Sequence, residues 1–209
     1  MKTVIHPTYF PSIAHFTAMV KPGVELVMEI EDNFQKQTYR NRLYIYGANG
    51  RQSLIVPIKH CGTNRQKYKD VKIENSFHWQ KQHWKSLQTA YRTSPFFEFY
   101  EDDIAPFFKE KHDFLMDMNF KAMELIAECL QLELTFEKTT VFEKQLQVTE
   151  MRDLRFLVEA KKEKDFPFEH YTQVFENKHG FIKNLSILDL LFNEGPNTVD
   201  YLENQKLVF

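Results

Sequence analysis

The sequence predicts an α/β fold, a sheet flanked by helices, and three observations carry that reading. A strand, a helix and a second strand fit within residues 3–30, which leaves room only for a tight crossover and so implies parallel pairing. The runs "LYIY" and "SLIVPIK" flank the turn "GANG", the pattern of an antiparallel hairpin. Two later segments, 111–132 and 185–194, place apolar residues three and four apart, as helices packed on a core do.

Each element has a local reason. Thr3 to Ile5 is β-rich and is cut off by Pro7. Ser12 is a natural N-cap for a helix over Ile13 to Val20, and Pro22 and Gly23 end it. Glu25 to Ile30 forms the second strand, and Pro57 belongs near the end or edge of the hairpin's second strand. From Ser76 the pattern turns helical, with Trp79, His83 and Leu87 on one stripe and Trp84, Leu87 and Tyr91 beside it, and it stops before Pro95. On the helix over 111–132, Phe114, Met118, Ala122, Leu125, Cys129 and Leu132 mark the apolar face. "ELTFE" and "LRFLVEA" read as strands. Ser186 caps a helix with Asp189 at the capping-box spacing, Gly195 and Pro196 end it, and a last short helix spans Val199 to Gln205. Without internal repeats or a linker, one domain over 1–209 follows, with a mixed, partly parallel, Rossmann-like sheet.

Composition narrows the function. A chain of 209 residues with 43% hydrophobic content can bury a substantial core. A net charge of -2 with no basic block points away from nucleic acid and from an anionic membrane surface. No apolar run approaches a membrane span, and the opening "MKTVIHPTYF" is too short and too broken by proline for a signal-peptide core, so a cytoplasmic location is expected. Cys61 and Cys129 stand far apart and form neither a disulfide framework nor a metal site. With six glycines and no phosphate-loop, nucleophile-elbow or dinucleotide motif, a glycine cradle is excluded, and no metal or cofactor is expected.

Candidate chemistry gathers in four places. "KQTYRNR" carries Lys36, Arg40, Asn41 and Arg42; paired guanidinium forks suit a phosphate or carboxylate, while the plain alternative is a solvated loop feeding a strand. Lys59 and His60 end a strand, where α/β crevices open, or form an ordinary surface pair. His83 stands one helical turn from Trp79, as a general base or as a packed core histidine. "SIAH", Ser12 to His15, distantly resembles the H-x-G-H motif of nucleotidyltransferases, against the simpler reading of His15 on the inner face of a helix.

The blocks "HPTYFPSIAHF", "QKQTYRNRLYI", "LIVPIKH", "HWKSLQTAYRTSPFF" and "NLSILDLLFNEGP" together, in this order, resemble the WbqC-like family and cover most of Val4 to Pro196. Their wording is similar to the branch found in Bacteroidetes. The resemblance implies a role near surface-polysaccharide or O-antigen genes, such as transfer of an amino acid or acyl group to a sugar precursor. By motif it carries over His6, Tyr9, Arg40, Asn41, Arg42, Lys59, Tyr91, Ser186 and Asp189 as shared polar positions. His6 and His15 depart from the family's usual Gln and Tyr, and the Gly-rich segment of longer members is missing here.

Three functions remain in view. A metal-independent transferase would hold a phosphate-bearing small molecule with Tyr9, Arg40, Asn41, Arg42, Lys59 and Tyr91, with His6 or His83 as base. A scaffold would expose the aromatic run "SPFFEFYEDDIAPFF" to a protein partner. A nucleotidyltransferase would use His15. A homo-oligomer is compatible with each.

Overall fold

The computed structural model describes residues 2–59, 62, 65–146 and 151–209. Strands β1 (Lys2–Ile5), β2 (Glu25–Met28), β5 (Phe136–Lys138) and β6 (Met151–Asp153) form an all-parallel sheet in the order β5-β2-β1-β6. The antiparallel part of the expected sheet stands apart as a two-stranded ribbon of β3 (Arg42–Gly47) and β4 (Gly50–Ile55). Between β1 and β2 runs α1 (Ile13–Val20), capped by the Ser12 hydroxyl, which accepts from the His15 backbone N–H at 3.4 Å. Ser12 also sets the helix against the C-terminal half of the chain, where Ile13 N–H donates to Leu185 O at 2.9 Å.

Sheet order fixes where a crevice can open. The chain builds β1, steps outward to β2 and β5, then returns to the other side of β1 with β6. The order therefore reverses between β1 and β6. Loops leaving two such strands diverge to opposite faces of the sheet, and the gap at their carboxyl ends is where α/β folds bind ligands.

Helices α2 (Trp79–Tyr91), α3 (Phe97–Ile104), α4 (Leu115–Cys129), α6 (Ile187–Glu194) and α7 (Thr198–Asn204), with the single turn α5 (Glu176–His179), build the rest. Most buried apolar side chains join one continuous core that takes in Ile5, Phe10, Phe16, Leu43, Leu87, Phe97, Met123 and Phe192. No helix among the described residues is long and apolar enough to cross a membrane.

Three local expectations need correction. "LRFLVEA" is not a strand: Arg155–Val158 is a 3-10 turn, because the Asp153 carboxylate accepts from the Arg155 backbone N–H at 3.0 Å and pulls the chain round after β6. Helix α4 begins at Leu115 rather than 111, since Lys72 and Phe114 form a β-bridge and the Leu115 N–H donates to Val71 O. Of the expected face, Met118 and Ala122 are buried and Leu125, Cys129 and Leu132 pack partly buried against the core, with Leu115, Asn119, Met123 and Ile126 buried beside them. The aromatic run is mostly interior: Phe97, Tyr100, Phe107 and Phe108 are buried and Phe99 alone of them is 72% exposed, which removes the main support for a scaffold surface.

Gly195 ends α6 at φ +53°, and a Cβ there would lie 2.5 Å from ring carbons of Phe96. Strain and overlap add at this position, so Gly195→Ala is expected to lower stability by about 1–3 kcal/mol, read as a lower urea midpoint with unchanged slope.

Candidate functional site

A cleft of about 370 Å³ opens at the carboxyl ends of β1 and β6, lined by His6, Asp32, Gln35, Arg40, Phe142, Asp153, Arg155, Phe156, Val158 and Glu159. Each charged group arrives for a structural reason. His6 directly follows β1, Asp153 ends β6, and Arg155 is the first residue of the turn beyond it. Asp32 lies just past β2, and Arg40 precedes β3.

At the cleft floor, Arg40 Nη2 lies 2.5 Å from Asp32 Oδ2 and 2.6 Å from His6 Nε2. A guanidinium has no lone pair to offer, so Arg40 donates to both. His6 Nε2 must then be unprotonated, and its 3.1 Å approach to Asp32 Oδ2 is a contact between two acceptors sharing one donor. Burial, and then the charge of Arg40, hold His6 down at about 4, so the ring is neutral near pH 7. Burial works against the Asp32 charge, but the Arg40 charge and its hydrogen bond hold the carboxyl below its usual value. The Arg40 guanidinium also lies 5.1 Å over the Tyr68 ring, and its Nη1 donates to Asn33 O at 3.3 Å.

Across the cleft, Arg155 is fully engaged. It grips Asp153 through Nε at 2.9 Å and Nη2 at 2.7 Å, Glu29 through Nη1 at 3.2 Å, and the Glu143 carbonyl through Nη1 at 2.7 Å. Glu29, fully buried beyond β2, also accepts from Thr139 Oγ1 at 2.9 Å and so ties the segment after β5 into the same cluster. Both arginines are thus committed to carboxylates. The most exposed charged groups on the cleft are Asp153 and Glu159, with Asp32, Arg40 and Arg155 largely buried at its floor, and Phe142 and Phe156 flank it at 37% and 39% exposure.

Of the residues expected from sequence, His6 and Arg40 line this cleft; Tyr9, Asn41, Arg42, Lys59, His83 and Tyr91 do not. Arg40 and Arg42 do not pair as one anion fork. Arg40 turns inward to Asp32, while Arg42 opens β3 opposite Ile55. Asn41 is buried and braces the ribbon, donating from Nδ2 to Val56 O at 3.2 Å. Lys59 is exposed beside the bridge of Ile58 with Ile73, and His60 and Cys61 lie outside the described residues. Tyr9 and His83 form a separate buried pair, hydroxyl to Nδ1 at 3.0 Å, and burial holds His83 at about 4. His15 is completely buried with Nε2 2.8 Å from His6 O, which puts it in the interior and removes the nucleotidyltransferase reading.

Tyr91 and Asp189 belong to an interior network. Tyr91 and Tyr171 donate to the Asp189 carboxylate at 2.7 and 2.6 Å, and Gln173 Nε2 joins at 3.1 Å. Asp189 therefore does not close the expected capping box on Ser186. Burial raises it to about 6 despite these three donors, and the network pins α2 and α6 to the segment at 171–173.

A model of the WbqC-like protein family matches residues 6–165 and 158–201. The chain belongs to the WbqC-like protein family. The switch-point cleft is the place where this WbqC-like chain gathers buried charge. A relative in Mycobacterium tuberculosis (strain ATCC 25618 / H37Rv), "Uncharacterized protein Rv1507c", is 25% identical over 95% of this chain and 96% of its own length. No solved structure matches.

Sequence reasoning missed Glu29, Asp32, Asp153 and Arg155. Glu29 and Asp32 had a usable signal, as carboxylates immediately past a strand that pairs in parallel. Arg155 had none, because "LRFLVEA" alternates as a strand does. Among the described residues, no group of three or more His, Cys, Asp and Glu is arranged to hold a metal ion.

Of the four buried histidines, His6, His15 and His83 sit at about 4, 3 and 4, and burial lowers His112 as well. Their folded values lie below the unfolded value near 6.5, so the unfolded chain binds more protons and stability falls as pH drops below 6.5. Asp189 and Glu194, raised by burial, act oppositely, Asp189 favouring the fold as pH falls from about 6 toward 4, but two groups against four histidines do not reverse the sign. Urea midpoints are expected to fall between pH 7 and pH 5, each histidine contributing about 1.4 kcal/mol per pH unit.

Proposed function

We propose that this chain is a cytoplasmic transferase that binds a hydroxyl- and amine-bearing sugar precursor in the switch-point cleft and receives an acyl or aminoacyl group there, for surface-polysaccharide or O-antigen synthesis. One observation carries the reading: a cleft at the topological switch point whose arginines are neutralised by Asp32, Glu29 and Asp153, leaving carboxylates on its open face between two phenylalanines. Carboxylates accept from hydroxyl and ammonium donors, and an aromatic wall packs against the apolar face of a sugar ring.

The same geometry shapes the mechanism. His6 at about 4, and Asp32 held below its usual value, are weak proton acceptors. General base catalysis at neutral pH wants a group titrating near 7. The cleft's contribution is therefore orientation: it holds the acceptor, whose amine or hydroxyl proton passes to solvent, against the carbonyl carbon of an acyl thioester, so that the new C–N or C–O bond forms as the thiolate leaves, a class of effect worth up to about 7–11 kcal/mol of barrier. In this scheme His6 is a positioning residue that fixes the Arg40 fork, and Asp32 is the group presented to the acceptor.

Calorimetry with amino sugars, sugar nucleotides and acyl-CoAs tests the proposal, alongside mass analysis for acyl transfer. Saturable binding of a sugar-bearing ligand is expected, weakened about tenfold or more by Asp32→Asn and by the exposed-site variant Glu159→Gln. Binding that neither variant alters, or no binding by any class, removes this cleft from the account.

A further inference from the structure

A cavity larger than the cleft lies elsewhere. A groove of about 580 Å³ separates the β3–β4 ribbon from α2, lined by residues 47–52 on one side and by Gln82, Lys85, Ser86, Thr89 and Ala90 on the other. Its helical wall is one face: positions 82, 85, 86 and 89 recur at the three- and four-residue spacing of a single stripe. The opposite stripe of the same helix, Trp79, His83, Leu87 and Tyr91, is core. The exposed stripe is left over by the packing and by the cleft.

The walls are joined at the base. Gln52 Nε2 reaches Ser86 Oγ at 3.4 Å, and the Gln52 side chain lies over Gly47, where a Cβ would stand 2.5 Å from Gln52 Oε1. Glycine at 47 therefore keeps the floor open for this bridge. No Asp or Glu lines the groove. Two cations do: Lys85, exposed and with no ion-pair partner among the described residues, and Arg51, which lies 3.9 Å over the Tyr44 ring and bonds Glu163 at 2.8 Å. Neutral donors complete the lining, with Asn49, Gln52, Gln82 and Ser86, while the Thr89 hydroxyl donates back to Lys85 O at 2.8 Å.

This is the reverse of the switch-point cleft, where carboxylates face the opening. The cleft lining sets Asp32, Asp153 and Glu159 beside its two arginines; the groove lining has cations, hydroxyls and amides and no carboxylate. We propose that the groove between the ribbon and α2 binds the phosphate groups of a phosphorylated small molecule, with Lys85 as the principal charge and Ser86 and Asn49 as hydrogen-bond partners. The assignment goes beyond the transferase reading and does not require it, because no residue is shared between the two sites.

Amide NMR titrations with inorganic pyrophosphate, uridine diphosphate and uridine provide the test. Saturable shifts are expected at Ala48, Asn49, Lys85 and Ser86 with either phosphate compound, weakening with added salt, and none with uridine. Equal binding of pyrophosphate and uridine diphosphate assigns the site to phosphate alone, and tighter binding of the nucleotide extends it to the nucleoside; both support the proposal. Lys85→Glu is expected to weaken binding about tenfold, while Lys81→Glu, one turn earlier on the same helix and outside the groove, changes it less than about twofold. Equal losses from the two variants, shifts scattered over surface lysines, or uridine binding as well as its diphosphate would overturn the proposal. Both lysines are exposed, so the reversals leave the core untouched.

Discussion

The Arg40 guanidinium, with its side chain 1% exposed, is the constraint around which the cleft is organised. A buried cation without compensation costs several kcal/mol, so its neighbours are fixed by necessity. Asp32 supplies the countercharge and His6 a lone pair, and both stand at the carboxyl edge of the parallel sheet. The Arg40 carbonyl in turn accepts from Asn119 on α4 at 2.7 Å, and Asn119 also meets the Tyr68 hydroxyl, whose O–H donates to Pro7 O at 2.8 Å. One buried charge thereby links β1, the segment before β3, and α4. Arg155 repeats the arrangement across the cleft, with Glu29 and Asp153 as its compensation.

This pairing changes what the cation-rich segment means. Arginine forks read from sequence suggest an anion site, because composition cannot show whether a guanidinium is already satisfied. Here the Arg40 fork is paired with Asp32 inside the protein, and Arg42 opens β3 away from the cleft. Side chains that look like ligands for phosphate are the scaffold on which carboxylates are displayed. His6 fits that role because its ring nitrogen can accept a hydrogen bond from Arg40.

Legibility in the sequence followed the range of the forces. The β1–α1–β2 unit was readable because Ser12, Pro7, Pro22 and Gly23 act on adjacent backbone, and the ribbon because its Gly and Asn residues mark a turn. Helix ends were less readable: α4 loses its first residues to a bridge between Phe114 and Lys72, a contact no local pattern announces. The partners of β1 and β2 at the sheet edges, β5 and β6, come from more than a hundred residues downstream, and the second half of the cleft comes with them. Sequence therefore supplied His6 and Arg40 and missed Asp153 and Arg155. Tyr9, His83, Tyr91 and Asp189, polar positions that looked functional, are interior hydrogen-bond partners, and a motif alone cannot distinguish a polar residue that meets a ligand from one that meets another helix.

The protonation state of His6 tests the account most directly. Nitrogen-15 NMR of the imidazole across pH 7 to 4 is expected to show a neutral ring with its proton on Nδ1, titrating only near pH 4. A ring protonated on Nε2, or one already cationic at pH 6, would mean that Arg40 does not donate to it, and the charge arrangement that defines the cleft would be wrong.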